Sequence, residues 1–502
     1  MKSLGYPFKS LLSLSLIILI SSSAFAKSHK HRHHHHVSQT VSSQPIYGID
    51  NLISVVNQAI AGVDSDAAIG IQIKSMKQGD TLYSRNEQRS FTPASTMKIF
   101  TAEAALLYLG PDYTFPTRVL TDAKSMNGGY IDGDIYLVQS GDPSLTYYDL
   151  LDLMVALKAQ QIQGINGNVY IDNSAYDQSN FGPGWKWEDT RYCYSAPINA
   201  SIINHNCVSF GIAPAKTAGN LANIIESPRY FYANIKNSVV TKSYKSKSCY
   251  IHLNAQTDNT IALTGCMPKG RYTRGASVVI ANVDEYNKSL VKNLFKRYGI
   301  QVNGQITTKT APSDLSVLAS HQSKPLHILV SEMLKMSDNI IAGSLFKKLG
   351  ELYNNQPGSW ANGSIAVKQI LSGKAGVDTS HLTILDGSGL SQQNQVTPAA
   401  MMQLLDSAFH NYATNYEFIS ALPVAGIDGT LKHRLGNVTR KIRAKTGTMS
   451  ASGVISLAGY AINKDKEPIA FVIIVNGRKG NVWQYREMED KIVTALANYS
   501  RG

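Results

Sequence analysis

The sequence predicts an α/β domain interrupted by a long β-rich insertion, on three observations. Ile49, Leu52, Ile53, Val56 and Ile60 share one helical face, and long helical patterns return from about residue 320. From about 116 to 318 the chain changes character. It becomes rich in Gly, Asn, Tyr and short alternating runs such as Gly133-Asp134-Ile135-Tyr136-Leu137-Val138. The end reads as three strands, at 441–447, 453–461 and 468–475, followed by a helix over 483–499. The 502 residues are 43% hydrophobic and 17% charged, which excludes a disordered or collagen-like chain. Four cysteines are too few for a disulfide-dense mini-protein.

Taken in order, residues 1–26 read as a signal peptide. Lys2 and Lys9 form a positive start, Leu11 to Ile20 a short apolar run, and Ala24-Phe25-Ala26 a cleavage site. No later stretch reaches the 18 apolar residues of a membrane span, so the mature chain is expected to be exported. Residues 27–45 read as a flexible leader with six histidines between His29 and His36. Such a tract suits metal or polyanion binding, or is a low-complexity tail or a tag. It has no fixed geometry for a catalytic metal. After the first helix, Ala67 to Lys74 and Thr81 to Ser84 read as strands joined at Gly79-Asp80. A helix burying Ala102, Ala105, Leu106 and Leu109 follows Ser95 and stops at Gly110-Pro111. A few helices are expected inside the insertion, one near 146–160.

Cys193, Cys207, Cys249 and Cys266 allow three pairings. The sequence-local pairs 193–207 and 249–266 are favoured. The second pair brackets two alternating runs, 250–253 and 260–263, so it could close a hairpin. A zinc site of four thiolates lacks the usual close spacing. Of the formal +13 charge, Lys2 and Lys9 carry two and Lys27, Lys30 and Arg32 three, leaving +8 for residues 33–502. That balance fits polyanion contact or simple solubility. No zinc finger, RNA-binding signature or phosphate-cradling glycine loop points to nucleic acid.

Three short motifs carry chemistry. In Ser95-Thr96-Met97-Lys98 at a helix start, positions i and i+3 share a face, so hydroxyl and amine meet. The positive helix end favours charge on the Ser oxygen, and Lys98 serves as base only if its pKa falls from about 10.4. The spacing recurs at Ser289/Lys292 and Ser344/Lys347. The first falls on the polar face of a helix whose apolar face is Leu290, Val291, Leu294 and Phe295, and the second lies inside a continuing helix. The second motif is Ser337-Asp338-Asn339. The third is Lys445-Thr446-Gly447-Thr448, where Lys445 and Thr446 offer a cation and a hydroxyl to a carboxylate and Gly447 permits close approach.

The three motifs in this order resemble those of the penicillin-recognising serine enzymes. The 242 residues from Ser95 to Ser337 narrow the resemblance to the class C low-molecular-mass penicillin-binding proteins, the D-Ala-D-Ala carboxypeptidase/endopeptidase family. Further matching stretches are Ser140-Gly141-Asp142-Pro143-Ser144-Leu145, Trp185-Lys186-Trp187-Glu188-Asp189, Ser195-Ala196-Pro197, Asp386-Gly387-Ser388-Gly389-Leu390-Ser391 and Gly426-Ile427-Asp428-Gly429-Thr430-Leu431. The resemblance implies a transpeptidase-like domain, an antiparallel sheet flanked by helices, from 46–115 plus 319–502. Residues 116–318 would form inserted β-rich domains. It implies cleavage of D-alanyl-D-alanine in periplasmic peptidoglycan stem peptides, at the terminal residue and at the D-alanyl cross-link. Ser95 would be the nucleophile and Lys98 its base. Ser337 and Asn339 would relay the proton and hold the peptide, and Lys445 and Thr446 would bind the terminal carboxylate. The N–H groups of Ser95 and Thr448 would form the oxyanion hole. β-Lactams would act as covalent inhibitors, with no metal or organic cofactor.

One departure stands out. Family members often carry Arg directly after D-G-S-G-L-S, where this chain has Gln392, which offers no charge to a carboxylate of the cross-linking residue. Asp189 is a candidate for that residue's free amine. Two rivals remain at this stage: a β-lactamase, which would need a deacylation base that no loop motif supplies, and a non-catalytic wall-binding protein. Membrane contact is at most peripheral, because Glu487, Glu489 and Asp490 suit an anionic lipid surface poorly.

Overall fold

Five strands build the central sheet: β1 (Ala68–Ser75), β2 (Thr81–Arg85), β3 (Ile442–Met449), β4 (Val454–Ile462) and β5 (Pro468–Asn476). Their order is β3-β4-β5-β1-β2, antiparallel throughout. The computed structural model describes residues 45–227, 234–243, 249–270 and 272–502. The signal segment 1–26 and all but the last residue of the leader lie outside the described residues.

β5 is apolar at nearly every position because both its faces are buried. Ile469, Phe471, Ile473 and Val475 pack with helices α1 (Ile49–Ala61) and α8 (Val482–Asn498). Ala470, Val472 and Ile474 join the opposite layer, made by α2 (Met97–Leu109), α3 (Leu326–Met336), α4 (Asn339–Asn354), α5 (Trp360–Ala375), α6 (Pro398–His410) and α7 (Asn415–Ala421). α2 is the innermost of these helices. Every residue from Met97 to Leu106 is buried, as expected of a helix surrounded on all sides. α8 lies on the sheet, where Arg434 bonds to Glu489 at 3.0 Å and to Asp490 at 2.6 Å. No described helix is long and apolar enough to cross a membrane.

The chain leaves this body through Pro116–Thr121 and returns through Ser316–Gln322, two strands paired antiparallel. The return strand therefore runs past the expected boundary at 318. Between them, residues of 119–319 form their own apolar cluster. The segment is β-rich with helices among its strands. Ile135–Gln139 pairs in parallel with Val169–Asp172 across the helix Tyr147–Ala159, and the helix Val283–Arg297 buries Leu290, Val291, Leu294 and Phe295. A parallel pair requires such a crossover. Ser289 and Lys292 are exposed on that last helix. Cys193 is bonded to Cys207 and Cys249 to Cys266, the second pair beside the antiparallel strands Ile251–Ala255 and Thr260–Pro268.

Ser344 and Lys347 are both buried in α4 and tie it to the excursion. Ser344 Oγ donates to the Gly141 carbonyl, and Lys347 Nζ donates to Asp177 Oδ1 at 2.7 Å and to the Ser179 carbonyl at 2.8 Å. This second serine–lysine pair is a structural joint.

Glu103 of α2 is wholly buried without a cation. Thr414 Oγ1 donates to its Oε1 at 3.5 Å, and Oε2 has no hydrogen-bond partner among the described residues. Burial pushes its carboxyl up to about 8. The unfolded chain ionises this group near pH 4.5, so stability falls as pH rises from there to about 8. Glu103→Gln should therefore melt a few degrees above the parent at pH 8 and gain least at pH 4, measured by calorimetry.

Candidate active site

The site is built where α2 begins, against β3 and β4. Ala94–Thr96 forms one 3-10 turn, with Ala94 in the left-handed region at φ 50. The turn is pinned to the sheet. Thr96 Oγ1 and Ser456 Oγ of β4 both donate to the Pro93 carbonyl at 2.7 Å, and Thr92 N donates to Asn476 Oδ1 at 2.7 Å. Gly447 lies opposite Ser456 on β3. A Cβ there would sit 2.8 Å from the Pro93 oxygen and 3.1 Å from Ser95 N, so only glycine admits this approach. On the far side, Gly389 presses on the Ala94 carbonyl still more closely.

One helical turn places Lys98 Nζ 3.1 Å from Ser95 Oγ. The amine also donates to Asn339 Oδ1 and to the Ser388 carbonyl, each at 2.6 Å. Burial lowers its pKa to about 7, against the opposing pull of Asp386 and Asp338. The neutral amine is therefore accessible near pH 7.

Ser337-Asp338-Asn339 forms the corner between two helices. Ser337 caps α3 in the left-handed region at φ 58. Asp338 Oδ1 accepts from the N–H groups of Ile340 and Ile341 at 2.8 and 2.9 Å, starting α4. Asn339 thus points to Lys98 while Ser337 meets β3, where Lys445 Nζ donates to Ser337 Oγ at 2.9 Å. Burial, helped by the charge on Lys98, pushes Lys445 well below its ordinary range. β3 is the sheet edge. Its first half is covered, since Ala444 N donates to the Pro423 carbonyl. By strand alternation the N–H groups of Thr446 and Thr448 point to the same outer side. Thr446 Oγ1 donates to Thr430 Oγ1 at 2.8 Å.

Asp189 lies one step out. Its Oδ1 accepts from Tyr194 OH at 2.8 Å, and the Tyr194 carbonyl accepts from Asn339 Nδ2 at 2.7 Å. Gln392 follows the segment that faces this loop, its N–H donating to the Gly184 carbonyl. Asp386, Ser388, Ser456, Thr430 and the Tyr194 carbonyl belong to the site but lie outside the three motifs. The D-G-S-G-L-S and G-I-D-G-T-L stretches were the available signal. Asp386 is a buried hub, accepting from Trp185 Nε1 (2.5 Å), Ser388 Oγ (3.0 Å), Gly389 N (2.8 Å), Ser391 N (3.0 Å) and Asn394 Nδ2 (2.8 Å). It thereby fixes the Ser388 carbonyl under Lys98. Among the described residues no His/Cys/Asp/Glu group is arranged to hold a metal.

Comparison with known proteins converges on one description. The profile of the D-Ala-D-Ala carboxypeptidase 3 (S13) family matches residues 54–499. A D-alanyl-D-alanine carboxypeptidase DacB of Haemophilus influenzae is 33% identical over 414 residues, 82% of this chain and 85% of that protein. A D-alanyl-D-alanine carboxypeptidase of Actinomadura sp. is 32% identical over 86% of this chain and 82% of its own. The crystal structure of penicillin binding protein 4 from H. influenzae superposes with a TM-score of 0.78 at 31% identity, covering 88% of this chain and 98% of that one.

Asp386→Ala would strand several buried donors at once and should cost about 4 kcal/mol. Urea unfolding followed by tryptophan emission measures the loss.

Proposed function

The chain belongs to the D-Ala-D-Ala carboxypeptidase 3 (S13) family and is a serine-type carboxypeptidase of the penicillin-binding kind, and from that premise we propose that it works through an acyl-enzyme on Ser95. The observation that carries this is the Ser95–Lys98 contact of 3.1 Å beside an amine held near pKa 7. A neutral Lys98 has two N–H groups. Asn339 Oδ1 and the Ser388 carbonyl take both, leaving the nitrogen lone pair for the Ser95 hydroxyl proton. Ser95 Oγ then bonds to the penultimate D-Ala carbonyl carbon as its proton passes to Lys98. The N–H groups of Ser95 and Thr448 hold the developing oxyanion, each worth a few kcal/mol. As the C–N bond breaks, the proton held by Lys98 is relayed by way of Asn339 and Ser337 to the departing amine of D-Ala, which leaves Lys98 neutral for the second step. Lys445 and Thr446 bind the terminal carboxylate, and water attack frees the stem peptide and restores Ser95.

The same acyl step serves the D-alanyl cross-link, so DD-endopeptidase activity is part of this proposal, as is covalent capture of β-lactams. A solved relative, penicillin binding protein 4 of H. influenzae, is complexed with a β-lactam. Asp189, with Tyr194, is proposed at the amine of the cross-linking residue. The signal-like start and the two disulfides support export to an oxidising compartment, the periplasm.

Benzylpenicillin should add one ligand mass to the intact protein, and Ser95→Ala should abolish the adduct in the mass spectrum. Digestion of purified sacculi should release D-alanine and cleave cross-linked dimers, and failure on the dimers would remove the endopeptidase proposal. The acylation rate should fall as pH drops through about 7, because protonated Lys98 has no lone pair for the serine proton. Labelling with a fluorescent penicillin between pH 5 and 9 traces that limb.

A further inference from the structure

Beside the three motifs stands a hydroxyl that no motif contains. Thr430 is exposed at the tip of the single turn Gly429–Leu431, and its Oγ1 lies 2.8 Å from Thr446 Oγ1. The turn carrying it is heavily braced. Asp428 Oδ1 accepts from Val424 N at 2.8 Å, and its Oδ2 accepts from Lys335 Nζ at 2.7 Å. Lys335 Nζ also donates to the Leu422 carbonyl at 3.1 Å. Gly429, at φ +54, lies against Lys335, where a Cβ would come within 2.7 Å of the carbonyl oxygen. Lys335 stands on α3 two residues before Ser337. One ion pair therefore registers the Thr430 hydroxyl against both walls of the cleft, α3 through Lys335 and β3 through Thr446.

We propose that Thr430 is a positioning residue for the substrate's terminal carboxylate, acting by orienting the Thr446 hydroxyl. The inference rests on the proposed binding of that carboxylate by Lys445 and Thr446. Two hydroxyls 2.8 Å apart share one proton between them, so one donates and the other accepts. In the structure Thr446 donates to Thr430. A carboxylate can only accept, so Thr446 must turn its proton to the ligand, and its oxygen then accepts from Thr430. The bond between the threonines is reversed rather than lost, and its donor polarises Thr446 toward the anion. No covalent step is involved. The effect is specific to an anionic C-terminus, because a carboxamide brings N–H donors of its own and does not impose this direction.

The test compares a peptide ending in D-Ala-D-Ala with the same peptide ending in D-alaninamide, measuring KM and kcat for each, or Ki for the amide where turnover is slow. Thr430→Val should raise KM for the acid about 3- to 10-fold, leave kcat within twofold, and leave the amide's constant unchanged. Thr430→Ser, which restores the hydroxyl, should return KM to the parent value. An equal change on both peptides, no change on either, or failure of serine to rescue would overturn the proposal while leaving the carboxylate assignment intact. A parent enzyme that treats acid and amide alike would instead overturn that assignment, and the proposal with it.

Discussion

The site depends on one buried nitrogen. Lys98 sits at the start of a fully buried helix, and three oxygens surround its amine: Ser95 Oγ, Asn339 Oδ1 and the Ser388 carbonyl. Burying an ammonium is costly, and the molecule meets that cost by holding the group near the point where it can shed its proton. Asp386 and Asp338 keep the shift from going further. Each oxygen arrives on a different piece of chain, so the helix corner at Ser337–Asn339 and the Asp386 hub must both form before the amine is correctly placed. Reactivity at Ser95 thus follows from packing across the whole helical layer.

Nearby glycines and turns exist to bring backbone to that nitrogen's neighbour. Gly447 lets β3 approach Ser95 N, Gly389 lets the 386–391 segment press on Ala94, and Ser456 with Thr96 anchors the Pro93 carbonyl between them. The edge position of β3 leaves its outer N–H groups beyond Ala444 facing the cleft. An interior strand would have spent those donors on a neighbour.

Much of this was legible from residues alone. The buried periodicity after Ser95 and the apolar run of β5 sit in local sequence, and the motif residues meet in space, whereas the helix corner at Ser337-Asp338-Asn339 appears only in the structure. The resemblance of the sequence to a known family carried their assembly, since no local pattern places Lys445 beside Ser337 across 108 residues. Illegible were the groups whose chemistry comes from position rather than type. Asp386 reads as an ordinary acid until five donors converge on it, and the Ser388 and Tyr194 carbonyls are backbone atoms present at every residue. Ser344 and Lys347 show the converse, a matching spacing whose partners make it a joint. The parallel pairing in the excursion was missed because alternation marks strands but not their direction.

The excursion itself begins and ends on neighbours. Thr121 lies opposite Ser316, so to the rest of the chain the long detour is equivalent to a hairpin. Chain-closure entropy grows only with the logarithm of length, about 0.6 kcal/mol for each doubling. Closing that stem therefore costs nearly the same whatever the length between its strands, and what the appendage has to keep is the set of contacts that reach back to the site: Tyr194 to Asn339, Trp185 to Asp386 and Asp177 to Lys347. Descendant chains could lengthen or trim the parts remote from those contacts while the chemistry at its root stayed in register.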